Sequence, residues 1–489
     1  MKMELRVTLV FFRILFLFLF NPQHVSADQT ATLVPSRTYG TWEGWGVSLA
    51  WWAKAFGNNA NLADIFFTKN QVTYRGAAIP GLGFNIVRYN AGATSFEPSG
   101  GQRIVQSSGI TPARQIDAFW INSADSDPAS ASWNWTVDTH QRNLLQLAKS
   151  RGANIFELFS NSPVWWQCAN HNPSGSSNGV ADNLGSTNYG QHVTYLATVA
   201  RHAKDSWGIN FQSVEAFNEP SSGYWVGPSG SQEGCHIGAV AQAAIVPLLR
   251  AKLNNLGLGD VSVSASDETS YDLAVSTWNS FSNSVRSQVK RINVHGYQGG
   301  GGDRVGLYNL AVAGGKGLWN SEYGDGDGTG KSLASNLILD LRFLHPTAWV
   351  YWQAIDIKGW GLITGDNTAV TTAEVSQKYY VLAQFTRHIR PGFVLLETGT
   401  DYAVAAYNAA SRTLVIVAIN WGAAQYLNFE LAAFKTPGKD GALVQRWTTQ
   451  IGSGIQYANA KDTYMRGTKF WSYFGSQMIQ TFEISDVSL

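Results

Sequence analysis

Phe211-Gln-Ser-Val-Glu-Ala-Phe-Asn-Glu-Pro220 holds the plan of the chain in ten residues. An apolar run that reaches an acid and then a proline reads as a buried strand brought to a stop, because proline offers no N–H to a ladder. Working outward, runs of the same kind recur at Gly44 to Ala50, Phe84 to Tyr89, Asn154 to Phe159, Val214 to Phe217, Val261 to Ala265, Ile292 to His295, Gly317 to Asn320 and Ala348 to Trp352. Amphipathic stretches lie between them. Asp138 to Arg151 carries leucines at 144, 145 and 147, and Tyr189 to Ser206 spaces its apolar residues three and four apart. Strands alternating with helices read as β-α units around a parallel sheet. Eight such units predict an α/β fold closed as a (β/α)8 TIM barrel.

Past the helical stretch Gln377 to Ile389 the texture changes at Pro391-Gly392. Tyr402 to Tyr407, Leu414 to Ile419, Tyr426 to Leu431 and Phe470 to Ile484 read as antiparallel strands. The expected organisation is a leader at 1–27, a segment 28–42 that joins a β side domain, a barrel over 43–390 and a C-terminal antiparallel β-sandwich over 391–489.

Among 489 residues, charged side chains make up 14% and aromatic ones 13%, which excludes a disordered chain. With 35 basic and 34 acidic residues there is no field to draw nucleic acid or an anionic membrane. Lys2 and Arg6 precede the apolar run Val7 to Phe20, and Val25-Ser26-Ala27 offers a cleavage site, so the segment reads as a signal peptide and the protein as secreted. No later run has the length of a membrane span. A monomer is expected. Asn134-Trp135-Thr136 is a glycosylation sequon. The cysteines number two, Cys168 after the third strand and Cys235 after the fourth; both fall at one barrel face, so a bridge between them is expected in an oxidising compartment.

Several chemistries are set aside by inspection. There is no His-Glu-x-x-His and no clustered histidine spacing, so neither metal nor cofactor is expected. Gly175-Ser-Ser-Asn-Gly179 has the outline of a hydrolase elbow, but no strand leads into it. Gly330-Lys331-Ser332 lacks the upstream glycine of a phosphate loop, where Asp325 stands instead. What remains are Glu219, at the end of the fourth strand, and Glu322, at the end of the seventh. Strands four and seven face each other across a barrel mouth, so both carboxylates can reach one pocket. Such a pair is what glycosidic cleavage needs: one protonates the leaving oxygen while the other attacks the anomeric carbon or activates water.

Asn218-Glu219-Pro220 with Glu322, together with Trp42-Glu-Gly-Trp-Gly-Val-Ser-Leu-Ala-Trp-Trp-Ala-Lys-Ala-Phe56, Phe84-Asn-Ile-Val-Arg-Tyr-Asn-Ala91, Phe156-Glu-Leu-Phe-Ser-Asn-Ser-Pro163, Arg291-Ile-Asn-Val-His-Gly-Tyr297 and Leu318-Trp-Asn-Ser-Glu-Tyr-Gly324, resembles glycoside hydrolase family 30, and most closely its fungal endo-β-1,6-galactanases. The likeness runs from about Trp42 through the C-terminal β-domain. It implies a retaining endo-glycosidase acting on β-1,6-galactan, such as arabinogalactan side chains, with Glu219 as acid/base and Glu322 as nucleophile. It further implies that Asn218 holds the sugar 2-hydroxyl, that Arg88 keeps Glu322 ionised, and that Tyr297 donates a hydrogen bond to Glu322. His295 joins the substrate-binding candidates by its place on the sixth strand. Trp352 and Trp165 are the first candidates for sugar stacking among the strand-end tryptophans, with Trp51, Trp166, Trp225 and Trp360 behind them. Glu43, Glu157 and Glu215 read as buried ion-pair or loop residues. The alternatives are an endo-β-1,6-glucanase of the same family and a catalytically inactive carbohydrate-binding protein.

Overall fold

The computed structural model describes residues 28–489; the signal peptide expected at 1–27 lies outside them. Eight parallel strands close a barrel in chain order: β1 (Gly44–Ser48), β2 (Ile86–Asn90), β3 (Ile155–Phe159), β4 (Ser213–Glu215), β5 (Ser262–Glu268), β6 (Arg291–His295), β7 (Gly317–Tyr323) and β8 (Ala348–Tyr351). β1, β2, β6 and β8 are buried at every position, because the helices cover one side and the barrel interior fills the other. Gly46 is one place where only glycine fits, since a Cβ there would stand 2.8 Å from the Ile86 carbonyl oxygen on the neighbouring strand.

Several strand ends differ from the sequence expectation, among them the fifth, which runs to Glu268 rather than Ala265. β4 stops at Glu215, short of Phe217, and Glu219 sits beyond it in a turn with φ +48°. That left-handed backbone is held by the Glu219 N–H donating to the Asp267 carbonyl at 2.8 Å and by the Trp225 indole N–H donating to the Glu219 carbonyl at 2.9 Å. β7 continues through Tyr323 rather than ending at Asn320. Its polar residues stay in the ladder because the interior is polar there: the Ser321 hydroxyl donates to Asp267 at 2.6 Å.

Ten of the other strands build a sandwich. A seven-stranded sheet (34–41, 394–397, 403–408, 413–420, 478–484, 443–450, 458–464 in spatial order) faces a three-stranded one (29–32, 425–430, 469–474). Thr413–Asn420 is apolar almost throughout because both of its faces are covered. Leu414, Ile416 and Ala418 point into the sandwich core with Phe429, Phe470 and Phe482, while Val415, Val417 and Ile419 pack against the barrel. The helix Gln377–Thr386 lies in that seam, where Gln384 donates to Thr449 at 2.9 Å and accepts from Thr481 at 2.6 Å. Among the described residues no helix is long and apolar enough to cross a membrane.

The expected bridge between Cys168 and Cys235 is not formed; both are buried free thiols. Each Sγ turns to the backbone of its own loop, Cys168 to the Pro163 carbonyl at 3.6 Å and Cys235 to the His236 carbonyl at 3.4 Å. Burial pushes the Cys168 thiol up to about 12, so the nucleophilic thiolate is scarce. Asn134 is half-buried and its side-chain oxygen accepts from the Thr136 N–H at 3.0 Å.

Candidate active site

The loops at the C-terminal ends of the strands enclose a cavity of about 800 Å³ whose floor holds Asn218, Glu219, Tyr297 and Glu322. The two glutamates come from strands across the barrel, and their nearest ligand atoms, with those of His295, all lie within 4.8 Å of one another. β7 delivers Glu322 rigidly. Gly324, two residues on, passes so close to the Trp352 carbonyl that a Cβ would overlap it at 1.9 Å.

Three donors converge on Glu219. Thr269 and His295 Nδ1 each donate to Oε1 at 3.0 Å, and the Tyr224 hydroxyl donates to Oε2 in a short hydrogen bond. Glu322 Oε1 accepts from Tyr297 at 2.9 Å, and its Oε2 lies 3.5 Å from Arg88 Nη1. Asn218 lines the cavity, and its side-chain oxygen is buried without a hydrogen-bond partner. Asn161, just past β3, also lines the cavity with an unpartnered amide nitrogen. Buried polar atoms left open in a cleft are where ligand hydroxyls are expected.

Arg88 and His295 do not reach the cavity, contrary to their expected place against substrate. Both are fully buried beneath the glutamates. Arg88 Nε donates to Glu157 at 2.9 Å, Nη1 to the Ser321 carbonyl at 3.1 Å and Nη2 to Asp267 in a short contact. Its charge is thus divided among three carboxylates. Burial pushes Glu322 up to about 7, opposed by His295, aided by Glu219 and opposed again by Arg88, so the Arg88 charge favours ionisation as expected without outweighing burial. Asp267 is held down at about 2, since Arg88 and His295 outweigh the burial that raises it. His295 is buried, which opposes its charge, yet Glu322 and Asp267 lift it to about 10. Its Nδ1 faces Glu219 at 3.0 Å and its Nε2 lies 3.6 Å from Asp267. The two glutamates and His295 together have the ligand set of a metal site.

The aromatic walls divide the tryptophan candidates. Trp51, Trp225, Trp352 and Trp360 line the cavity, with Trp352 edge-on to Trp51 at 4.8 Å between ring centroids. Trp165 is fully buried and donates its indole N–H to Ser95 at 2.8 Å, and Trp166 donates to the Trp120 carbonyl at 3.1 Å; both are packing residues rather than subsite residues. Glu157 bridges Arg88 and Arg291 inside the barrel. Asp267, Tyr224, Thr269, Asn161 and Arg114 were not found from the sequence. Asp267 and Asn161 sit at strand ends, a signal shared by many spectators. Tyr224 and Thr269 meet Glu219 only because two loops fold over it, and the Arg114 guanidinium stacks 4.4 Å over the Trp51 ring.

The same electrostatics give a stability profile. Burial pushes Asp138 up to about 7 and Glu233 up to about 8. In the unfolded chain both titrate near about 4, so their contribution is fully present below that pH and is lost as the pH rises through their folded values. Glu322 acts in the same direction, and His295 loses its contribution as the pH climbs from about 6.5 toward about 10. His192 and His345, pushed down to about 4 by burial, oppose this only below about 6.5. The melting temperature should therefore fall between about pH 6.5 and about pH 8.5. Scanning calorimetry across that range checks it, and a rising profile contradicts it.

A closed (β/α)8 barrel that brings two carboxylates together under tryptophan walls is the framework of a glycoside hydrolase. The chain belongs to glycoside hydrolase family 30: the model of O-glycosyl hydrolase family 30 matches residues 27–291. It is 56% identical to the endo-β-1,6-galactanase of Hypocrea rufa over 467 residues, covering 96% of this chain and 97% of that one. It is 24% identical to an exo-β-1,6-galactobiohydrolase of Bifidobacterium longum, over 68% of this chain and 27% of that longer protein. Among solved structures, the catalytic domain of family 30 xylanase C from Talaromyces cellulolyticus superposes with a TM-score of 0.68 at 18% identity, covering 94% of this chain and all of that one.

Proposed function

We propose that the protein is a secreted, retaining endo-glycosidase that hydrolyses β-1,6-linked galactan, including the side chains of arabinogalactan proteins, by double displacement. The observation that carries the retaining mechanism is the approach of Glu219 and Glu322. Carboxyl groups about 5 to 5.5 Å apart suit direct attack, whereas about 6.5 to 9.5 Å leaves room for a water between acid and base. A closest approach within 4.8 Å favours the first. The linkage reading is supported by the 56% identity to a protein named endo-β-1,6-galactanase.

In this reading Glu322 attacks the anomeric carbon while Glu219 protonates the departing glycosidic oxygen. Glu219 then takes a proton from the water that frees the sugar from Glu322. Asn218 offers its open side-chain oxygen to the 2-hydroxyl, a contact that strengthens as the oxocarbenium-like state forms. Tyr297 steadies the attacking carboxylate. Arg88 and His295 act from below: they hold the glutamates in register and compensate their charge without touching sugar. The first bond breaks only with the proton on Glu219, whose carboxyl faces the leaving oxygen in this reading. Trp352, Trp51 and Trp360 present ring surfaces to the C–H faces of galactose.

Product analysis on de-arabinosylated arabinogalactan beside a β-1,6-glucan tests the assignment. Short β-1,6-galacto-oligosaccharides from the first and nothing from the second are expected. Equal attack on both would establish the glucanase alternative, and no reducing ends from either would establish a binding protein.

A further inference from the structure

The side domain carries a groove of about 500 Å³ that shares no lining residue with the barrel cavity. It lies between two sheet edges. Strand 458–464 is the outermost of the seven-stranded sheet, and 469–474 is the outermost of the three-stranded one. The register of the 443–450 and 458–464 pair sets Arg446 opposite Ala460 and Thr448 opposite Ala458. Directly paired residues share a face, and residues two apart on a strand share it too, so Arg446, Thr448, Ala458, Ala460 and Asp462 form one continuous wall. The two alanines keep that wall shallow. On the opposite edge Trp471, Tyr473 and Tyr426 are 45%, 53% and 46% exposed, and Tyr426 and Tyr473 meet edge-to-face at 5.5 Å.

These rings are not needed to close the sandwich, whose core beneath them is completed by Phe429, Phe470, Phe474 and Phe482. Large aromatics left half in water along one groove mark a binding surface. The charge of the groove narrows the occupant. Arg446 and Asp462 pair in a fork, Nε to Oδ1 at 3.1 Å and Nη2 to Oδ2 at 2.6 Å, and the other lining side chains are neutral. A paired site with no net charge does not select a polyanion. It offers donors and acceptors side by side for hydroxyl groups, next to ring faces for apolar C–H surfaces, which is the chemistry of a neutral sugar chain.

We propose that this groove is a second glycan-binding site, which holds one neutral galactan segment while the barrel cuts another. Naming galactan as the occupant rests on the function proposed above. Binding at both sites raises the effective concentration of polymer at the cleft, an advantage that a short oligosaccharide does not share.

The test places Trp471→Ala, and separately Ala460→Arg to fill the groove from the opposite wall, in the Glu322→Gln protein and measures retention on immobilised de-arabinosylated arabinogalactan. Retention should weaken about tenfold in each. In the otherwise native enzyme the same substitutions should leave turnover of a β-1,6-galactotrioside unchanged and slow depolymerisation at low polymer concentration. Unaltered retention in the variants overturns the proposal. If the native enzyme cuts no β-1,6-galactoside, the functional reading falls. A loss of retention seen with the variants in that case still establishes the groove as a glycan site.

Discussion

Glu322→Ala should lose at least about 10⁴-fold in turnover on every galactoside, because it removes the carboxylate proposed to form the covalent bond to the anomeric carbon. Glu219→Ala should behave differently. On galactan it should lose about 10²- to 10⁴-fold, the ordinary worth of a positioned acid. On a galactoside whose leaving group needs no proton, the first step should survive and the glycosyl-enzyme should accumulate as a burst. Added azide should then speed release and yield the β-galactosyl azide, since attack on an α-linked intermediate from the open face restores the β configuration. The nearest ligand atoms of the two carboxyls lie within 4.8 Å of each other, and the retaining reading proposed above rests on that approach. Proton NMR of the native reaction should accordingly show the β-anomer first. An α-anomer as first product, or azide rescue of Glu322→Ala with a β product, would falsify the division of roles.

The second large effect concerns stability rather than turnover. Arg88→Met should cost about 3 to 5 kcal/mol of folding free energy, because it removes the cation shared by the buried Glu157 and Asp267, leaving Glu157 only Arg291 and Asp267 only His295. Both carboxylates are fully buried, and Arg88 touches each directly. Denaturant unfolding of the variant measures the loss. Adding Asp267→Asn should return part of it by removing one of the two buried carboxylate charges, whereas strictly additive losses would mean that the pair is not coupled. Lys331→Ala, on the protein surface, should change stability by no more than about 0.5 kcal/mol.

The outcome for individual residues separates what pattern can reveal from what it cannot. Eight apolar runs broken by amphipathic stretches were enough to predict the barrel, and the two glutamates were found because each stands at or just beyond a strand end next to a distinctive short run. Trp165 and Trp352 had the same outward signature, since each follows a barrel strand. One is sealed against Ser95 and the other lines the cavity, and the difference is made by loops that fold over them from distant parts of the chain. Arg88 was expected beside Glu322, and both Arg88 and His295 were expected to bind substrate. Their depth in the barrel, fully buried below the cavity, is decided only by the fold. The cysteines make the same point, for neighbouring loops at one barrel face leave two buried free thiols, each facing a carbonyl of its own loop.

The sequence by itself determined the barrel and the β-rich C-terminal unit, because strand and helix periodicity are local properties; the choice of Glu219 and Glu322 among the strand-end acids came from the resemblance to family 30. Tertiary structure alone decided which donors reach Glu219, how Arg88 is divided among Glu157, Asp267 and Glu322, and that Glu322 is pushed up to about 7. Those are sums over neighbours far apart in the chain, and burial, which raises a carboxyl, and a cation 3.5 Å away, which lowers it, have no fixed balance until the fold has set both.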